Sequence, residues 1–234
     1  MENKSYDEAL QGSYTASLAS QYALATNYHA VSHPSEPNYL ALTSGSTWGA
    51  TDDGYRMLPP GGIGKQLADG GLSWRAYMEG LASNCLRDQY PYALKHDPFP
   101  FYGGSCAGVA STDALAGDLS GSTPRFAWIS PGLCNDTHDC AIATGDRWLS
   151  EVVPQITNSP AWRAGGVLFL TWDEDDGSAQ NRVATLVIAP NLKQHRSARP
   201  YSHYSLLATV EDRLGLGRLG AAAGATPMDD LLGP

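Results

Sequence analysis

Apolar positions along the chain change their period several times. Leu10, Tyr14, Leu18 and Tyr22 recur at every fourth residue, with Asp7 and Glu8 in the opening turn, so residues 6–22 read as a helix. Pro34 disfavours helix in the residue before it, which leaves 28–35 extended or looped. A helix then begins around Pro37 and runs to Thr43, with Ser35 placed to cap it. Residues 45–62 are a Gly- and Pro-rich loop, and 63–68 a short helix stopped by Gly70 and Gly71. The stretches 72–78 and 126–130 read as strands. Residues 166–172 and 183–189 are continuous apolar runs, as in strands buried on both faces. Helices are expected over 146–156, where Pro154 should end or kink the helix, and over 205–214. The weakly periodic 80–124 reads as an insertion or lid, and the tail from Ala221 as loose. No repeat or linker divides residues 1–234, so one domain is expected.

Helices alternating with buried strands predict an α/β sandwich around a mostly parallel sheet, with ligands beyond the carboxyl ends of the strands. Composition narrows the function. Of 234 residues, 42% are hydrophobic and 17% charged, enough to bury a core. Lys plus Arg is 15 against 24 Asp plus Glu, and the net charge of −9 argues against nucleic acid as a partner. No apolar run approaches a membrane span, and the chain opens on polar residues without a signal peptide. Four cysteines form no C-x2-C pair. Two disulfides fit better than zinc, Cys85–Cys106 and Cys134–Cys140 closing the shortest loops. That pairing implies an oxidising compartment; the alternative is four buried free thiols in a cytosolic protein.

Three strand ends carry chemistry. Asp173, Glu174, Asp175 and Asp176 follow 166–172, and four adjacent carboxylates repel one another unless a cation holds some of them; an acidic solvated turn is the plain alternative. The loop after 126–130 carries Asp136 and His138 between Cys134 and Cys140. His203 precedes the last helix, where it is either a neutral ligand or donor or an ordinary capping or core histidine. Ser35, just ahead of a helix, sits where N–H groups favour an anion, so it is either a nucleophile for phosphorus or a simple cap. Glu2 and Asn3 add oxygen donors.

Taken in order, MENKSYDE, ATNYHAVSHPSEPNYLALTSGST, YALKHDPF, CNDTHDC, FLTWDE and YSHYSLLATVEDRLGL resemble the phosphoesterase family of bacterial and fungal acid phosphatases and phosphatidylinositol-phosphate phosphatases. That family is related to bacterial phospholipases C and belongs to the alkaline phosphatase superfamily. The resemblance implies an alkaline-phosphatase-like sandwich and a divalent metal (Ca, Mg, Mn or Zn) held by Glu2, Asn3, Ser35, Asp173 and Glu174. It makes Ser35 the nucleophile that forms a phosphoseryl intermediate. Asp136, His138 and His203 fall where the superfamily holds a second metal or contacts the phosphoryl group, and His96 near the substrate. It implies a phosphomonoester or phosphoinositide-type substrate and a secreted or periplasmic setting. A phosphodiesterase or phospholipase C of the same fold is the alternative, with a weakly active phosphate-binding protein behind it. Aromatic residues of 74–102, including Tyr90 and Tyr92, would shape the leaving-group side. The family's apolar strand before MEN lies outside the sequence, which would leave sheet neighbours unpaired and Glu2–Asn3 poorly anchored.

Overall fold

The computed structural model describes residues 1–233. In chain order the helices are α1 (Tyr6–Ala9), α2 (Ser13–Gln21), α3 (Ser35–Ser44), α4 (Gly62–Asp69), α5 (Leu115–Ser120), α6 (Ile142–Thr157), α7 (Pro160–Arg163) and α8 (His203–Leu214). The strands are β1 (Ala23–Ala25), β2 (Tyr28–His29), β3 (Trp74–Met78), β4 (Val109–Ser111), β5 (Phe126–Ser130), β6 (Leu168–Thr171), β7 (Thr185–Ile188), β8 (His195–Ser197) and β9 (Tyr201–Ser202).

They form a four-stranded sheet in the order β6-β7-β1-β8, a three-stranded sheet β4-β3-β5 and a short pair β2-β9. Pairing is parallel except where β7 runs antiparallel between β6 and β1. The architecture is the expected α/β sandwich; the three-stranded sheet is wholly parallel and the four-stranded sheet is mixed. Among the described residues, β5 and β6 each pair on one side only. That is why β6, read as buried on both faces, leaves Leu168 and Phe169 only half-buried, while β7 is buried throughout. Met1 lies against the end of β6, its carbonyl accepting from the Asp173 N–H at 3.0 Å. The Glu2 N–H donates to the Asp136 carbonyl at 2.7 Å, and the Thr137 hydroxyl to the Glu2 carbonyl at 2.7 Å. Glu2 and Asn3 are therefore anchored, contrary to the expectation, Glu2 by the loop after β5 and Asn3 by Asp173 after β6.

Other departures have local causes. The expected 6–22 helix breaks at Gly12. The Asp146 carboxylate of α6 accepts the Tyr14 and Thr15 N–H groups at 2.8 Å and so caps α2 from another element. A side chain at Gly12 would sit 2.4 Å from that carboxylate, so glycine is required. α6 runs through Pro154 to Thr157, and the Pro154 carbonyl accepts from the Asn158 N–H at 3.0 Å at the end of the helix. Much of 80–124 is not a lid. β4 extends the sheet, and Leu94, Phe99, Phe101 and Tyr102 are buried in the core beside Ile63, Leu67 and Leu207. The tail from Ala221 is not loose either. The Ala221 N–H donates to Gly45 at 2.8 Å, Met228 to Thr209 at 2.8 Å, and Ala222, Met228 and Leu231 are fully buried. Gly45 ends α3 at φ 68°, with the Leu219 carbonyl 2.2 Å from where a Cβ would lie. Both favoured disulfides form, Cys85–Cys106 and Cys134–Cys140.

Candidate active site

Four segments converge at one end of the strands: the N-terminus, the start of α3, the loop after β5 and the loop after β6. Ser35 is the first residue of α3, with Pro34 in the capping position, so it is not the cap that its spacing suggests. Its buried Oγ lies 3.1 Å from Glu2 Oε2 and 3.0 Å from Glu174 Oε1. One hydroxyl proton can serve only one of two carboxylates. The helix end is not an open anion cradle. The Glu36 N–H donates to Asp53 Oδ1 at 2.9 Å, and Pro37 has no N–H.

The acidic run after β6 divides its work. Asp173 and Glu174 are buried and turn inward. Asp175 instead organises the loop, accepting N–H groups of Gly177, Ala179 and Asn181 at 2.7 to 2.9 Å. Asp176 is exposed and caps Ser178. The Asn3 N–H donates to Asp173 Oδ1 at 3.2 Å.

Charge in this cavity is only partly balanced. Glu2 is buried and is held down to about 2: desolvation raises it, but the adjacent His96 charge and the Tyr39 hydroxyl outweigh that. His96, 2% exposed, is pushed up to about 10, because Glu2 and Asp136 overcome the opposing effect of burial. Asp173 is driven well above the usual carboxylate range by burial and then by the Glu2 and Glu174 charges. Burial also raises Glu174, against the pull of Ser35 and His33. His96 Nε2 lies 3.2 Å from Glu2 Oε2 and Nδ1 3.1 Å from Asp136 Oδ2, yet both nitrogens are off the line a hydrogen bond needs. Asn3 Oδ1, Asp136 Oδ2 and Asp173 Oδ2 are also buried without hydrogen-bond partners.

Each orphaned polar atom costs about 1–3 kcal/mol. A bound cation would satisfy several at once. Glu2, Asn3, Ser35, Asp173 and Glu174 present oxygen only, the donor chemistry of a hard divalent ion. Glu2, His96 and Asp136 also bring one ligand atom each within 4.8 Å of one another.

The remaining sequence candidates, His203 and His138, border this centre without bonding to the Ser35 hydroxyl. His203 is fully buried behind it. Its Nε2 meets the Asp173 carbonyl at 2.5 Å and its Nδ1 the Tyr28 hydroxyl at 2.9 Å. Burial drops it to about 4, so it stays neutral, with Nε2 holding the Asp173 backbone and Nδ1 tied to Tyr28. His138 donates its backbone N–H to Asp136 Oδ1 at 2.7 Å, its ring lies 5.7 Å from that of His96, and its ring nitrogens meet Asp139, at 2.7 Å, and Lys95, at 3.2 Å.

Four residues at the site escaped the sequence reading. His33 pairs with Glu174 and lies 3.3 Å from Asp175. The Tyr39 hydroxyl donates to Glu2, and its ring stacks on His96 at 5.3 Å. Lys95 Nζ donates to Asp53 Oδ2 at 2.9 Å. Tyr39 could have been found by its position, one helical turn from Ser35. His33 and Lys95 adjoin motifs already singled out, and Asp53 lies in a loop whose path no local signal reveals.

The helix-borne serine and the inward carboxylates at strand ends sit on a sandwich whose fold is that of a protein in the alkaline phosphatase superfamily. The chain belongs to the Phosphoesterase family, whose model matches residues 3–217. It is 31% identical to a phosphatidylinositol-3-phosphatase of Mycobacterium tuberculosis over 226 residues, spanning 93% of this chain and 74% of that protein. It is 30% identical to an acid phosphatase of Aspergillus fumigatus over 243 residues, spanning 94% of this chain and only 54% of the fungal protein. Its fold matches an alkaline phosphatase superfamily protein from Vibrio parahaemolyticus with a TM-score of 0.69 at 11% identity, over 93% of this chain and 66% of that one.

Proposed function

We propose that the chain is a metal-dependent phosphomonoester hydrolase that works through a phosphoseryl intermediate on Ser35. The observation that carries this is the Ser35 hydroxyl, buried at a helix start between Glu2 and Glu174. Kinship to proteins named acid phosphatase and phosphatidylinositol-3-phosphatase supports the monoester class. Ser35 Oγ attacks phosphorus in line and gives up its proton to solvent, a loss that the positive charge of a bound ion would favour. The P–O bond to the leaving alcohol breaks as the Ser35–phosphorus bond forms. Water then hydrolyses the phosphoserine in a second displacement. A divalent ion held by Glu2, Asn3, Ser35, Asp173 and Glu174 would supply positive charge to the nucleophile and the phosphoryl oxygens.

Tyr39 and His203 act on geometry, the first by holding Glu2 and the second by fixing Asp173. Two disulfides fit a secreted or periplasmic protein, and no helix is long and apolar enough to cross a membrane. The substrate in this reading is a small phosphomonoester or a phosphoinositide-type headgroup.

The test is an acid quench during turnover of p-nitrophenyl phosphate, with peptide mass mapping. The expected result is one phosphoryl group on the peptide containing Ser35, absent in Ser35→Ala, whose turnover falls by orders of magnitude. Turnover without a phosphopeptide in Ser35→Ala at the wild-type rate would remove the nucleophile. Faster cleavage of bis-p-nitrophenyl phosphate than of the monoester would move the reading to a phosphodiesterase.

A further inference from the structure

A phosphoryl group arriving at Ser35 brings two negative charges into a site already rich in carboxylates. The start of α3 offers it little, since the Glu36 N–H is taken by Asp53 and Pro37 has none. Most cationic side chains nearby are committed. His33 is tied to Glu174 and Asp175, His96 is enclosed between Glu2 and Asp136, and Arg56 pairs with Glu36 and Asp52.

Lys95 differs. Its Nζ donates to Asp53 Oδ2 at 2.9 Å and lies 3.2 Å from His138 Nε2. An ammonium has three protons and no lone pair, so Nε2 must be the acceptor. The His138 proton is then on Nδ1, donated to Asp139 Oδ1 at 2.7 Å. In this arrangement His138 has no N–H to offer a substrate, whereas two contacts leave Lys95 a third N–H among the described residues. Asp53 links the two parts of the site, one carboxylate oxygen on the N–H next to Ser35 and the other on Lys95. Lys95 is one-fifth exposed and opens on a cavity of about 370 Å³ lined by Tyr55, Tyr90, His138 and Asp139 among others.

We propose that Lys95 is a catalytic residue that binds a non-bridging oxygen of the phosphoryl group being transferred to Ser35, with Asp53 and His138 positioning its ammonium and the adjoining cavity receiving the leaving alcohol. This rests on the Ser35 reading. Lys95 acts as a fixed charge and exchanges no proton. His138 serves as an acceptor that orients it.

The test compares Lys95→Met, Lys95→Arg, His138→Gln and His138→Ala with the wild type, in the metal that best supports activity. Two readouts are taken, kcat/KM on p-nitrophenyl phosphate and the melting-temperature shift caused by inorganic phosphate. Loss of one fixed donor to a transferring group typically costs about 100-fold or more. Lys95→Met should lose roughly that in kcat/KM and most of the phosphate-induced shift, with an unliganded melting temperature near that of the wild type. Lys95→Arg should recover part of both. His138→Gln, which keeps an acceptor, should stay within a few-fold of wild type, and His138→Ala should fall further. Lys95→Met with wild-type kcat/KM and phosphate shift would overturn the proposal, as would a His138→Gln protein as impaired as Lys95→Met. A wild type that hydrolyses no monoester would instead count against the Ser35 reading. The phosphate shift would then decide on Lys95: a shift lost in Lys95→Met supports it, and one retained overturns it.

Discussion

The two disulfides should be separable by experiment, because one contributes more to stability and the other more to the site. Cys85–Cys106 closes 21 residues of sequence separation and Cys134–Cys140 only 6. Loop-closure entropy then assigns about 3 kcal/mol to the first and about 2 kcal/mol to the second. For a chain of this size that is a fall in Tm of roughly 6–12 °C and 4–8 °C respectively. The order of effects on activity should be reversed. Within the longer loop, Leu94, Phe99, Phe101 and Tyr102 anchor the Lys95–His96 turn in the core without help from the bridge. Within the shorter loop the buried residues are the polar Asp136 and Thr137, with no apolar anchor. Opening it frees the segment that holds Asp136 against His96 and the Thr137 hydroxyl against Glu2. The paired variants are Cys85→Ser with Cys106→Ser and Cys134→Ser with Cys140→Ser, measured by calorimetry and by p-nitrophenyl phosphate kinetics. The first should melt lower and the second turn over more slowly at a temperature where both are folded. A Cys134–Cys140 knockout with full activity would refute the claim that this bridge positions the acidic centre.

Two further outcomes concern stability. Ser35→Ala should change Tm little, since the hydroxyl can satisfy only one of the two carboxylates it faces; a loss of stability beyond about 2 kcal/mol would mean that Ser35 serves the fold. Burial pushes Glu211 of α8 up to about 7, leaving Oε2 without a partner. The folded chain therefore holds this proton more tightly than the unfolded chain. Its contribution to stability grows as pH falls from about 7 toward the ordinary value of 4.5, and is lost above 7. Glu211→Gln should remove that dependence and melt higher than wild type at pH 8; an unchanged pH profile in calorimetry would refute it.

Much of the fold was legible because periodicity survives in the buried elements. The 126–130 strand is found at those bounds, and β7 and α8 are close to theirs. What sequence could not show came from contacts between distant residues. Gly12 breaks a helix because Asp146 reaches it from α6, and the tail packs because Gly45 and Thr209 receive it. Candidate site residues were legible by type and by motif, but their division of labour was not. His203 and His138 look alike in sequence. One is sealed behind Asp173 and the other faces Lys95 at the rim. Asp175 and Glu174 are neighbours, yet one ties its own loop and the other meets Ser35. Such assignments depend on which side of a loop each residue faces, which local pattern does not encode.

The central claim is that a cation held by Glu2, Asn3, Ser35, Asp173 and Glu174 lets Ser35 attack a phosphomonoester. The most direct measurement is p-nitrophenyl phosphate hydrolysis by the purified chain after EDTA treatment, with Ca²⁺, Mg²⁺, Mn²⁺ or Zn²⁺ added back singly. The account predicts that EDTA abolishes turnover, that one ion restores it, and that the same ion restores nothing in Asp173→Asn paired with Glu174→Gln. Full activity in the metal-stripped protein would contradict it.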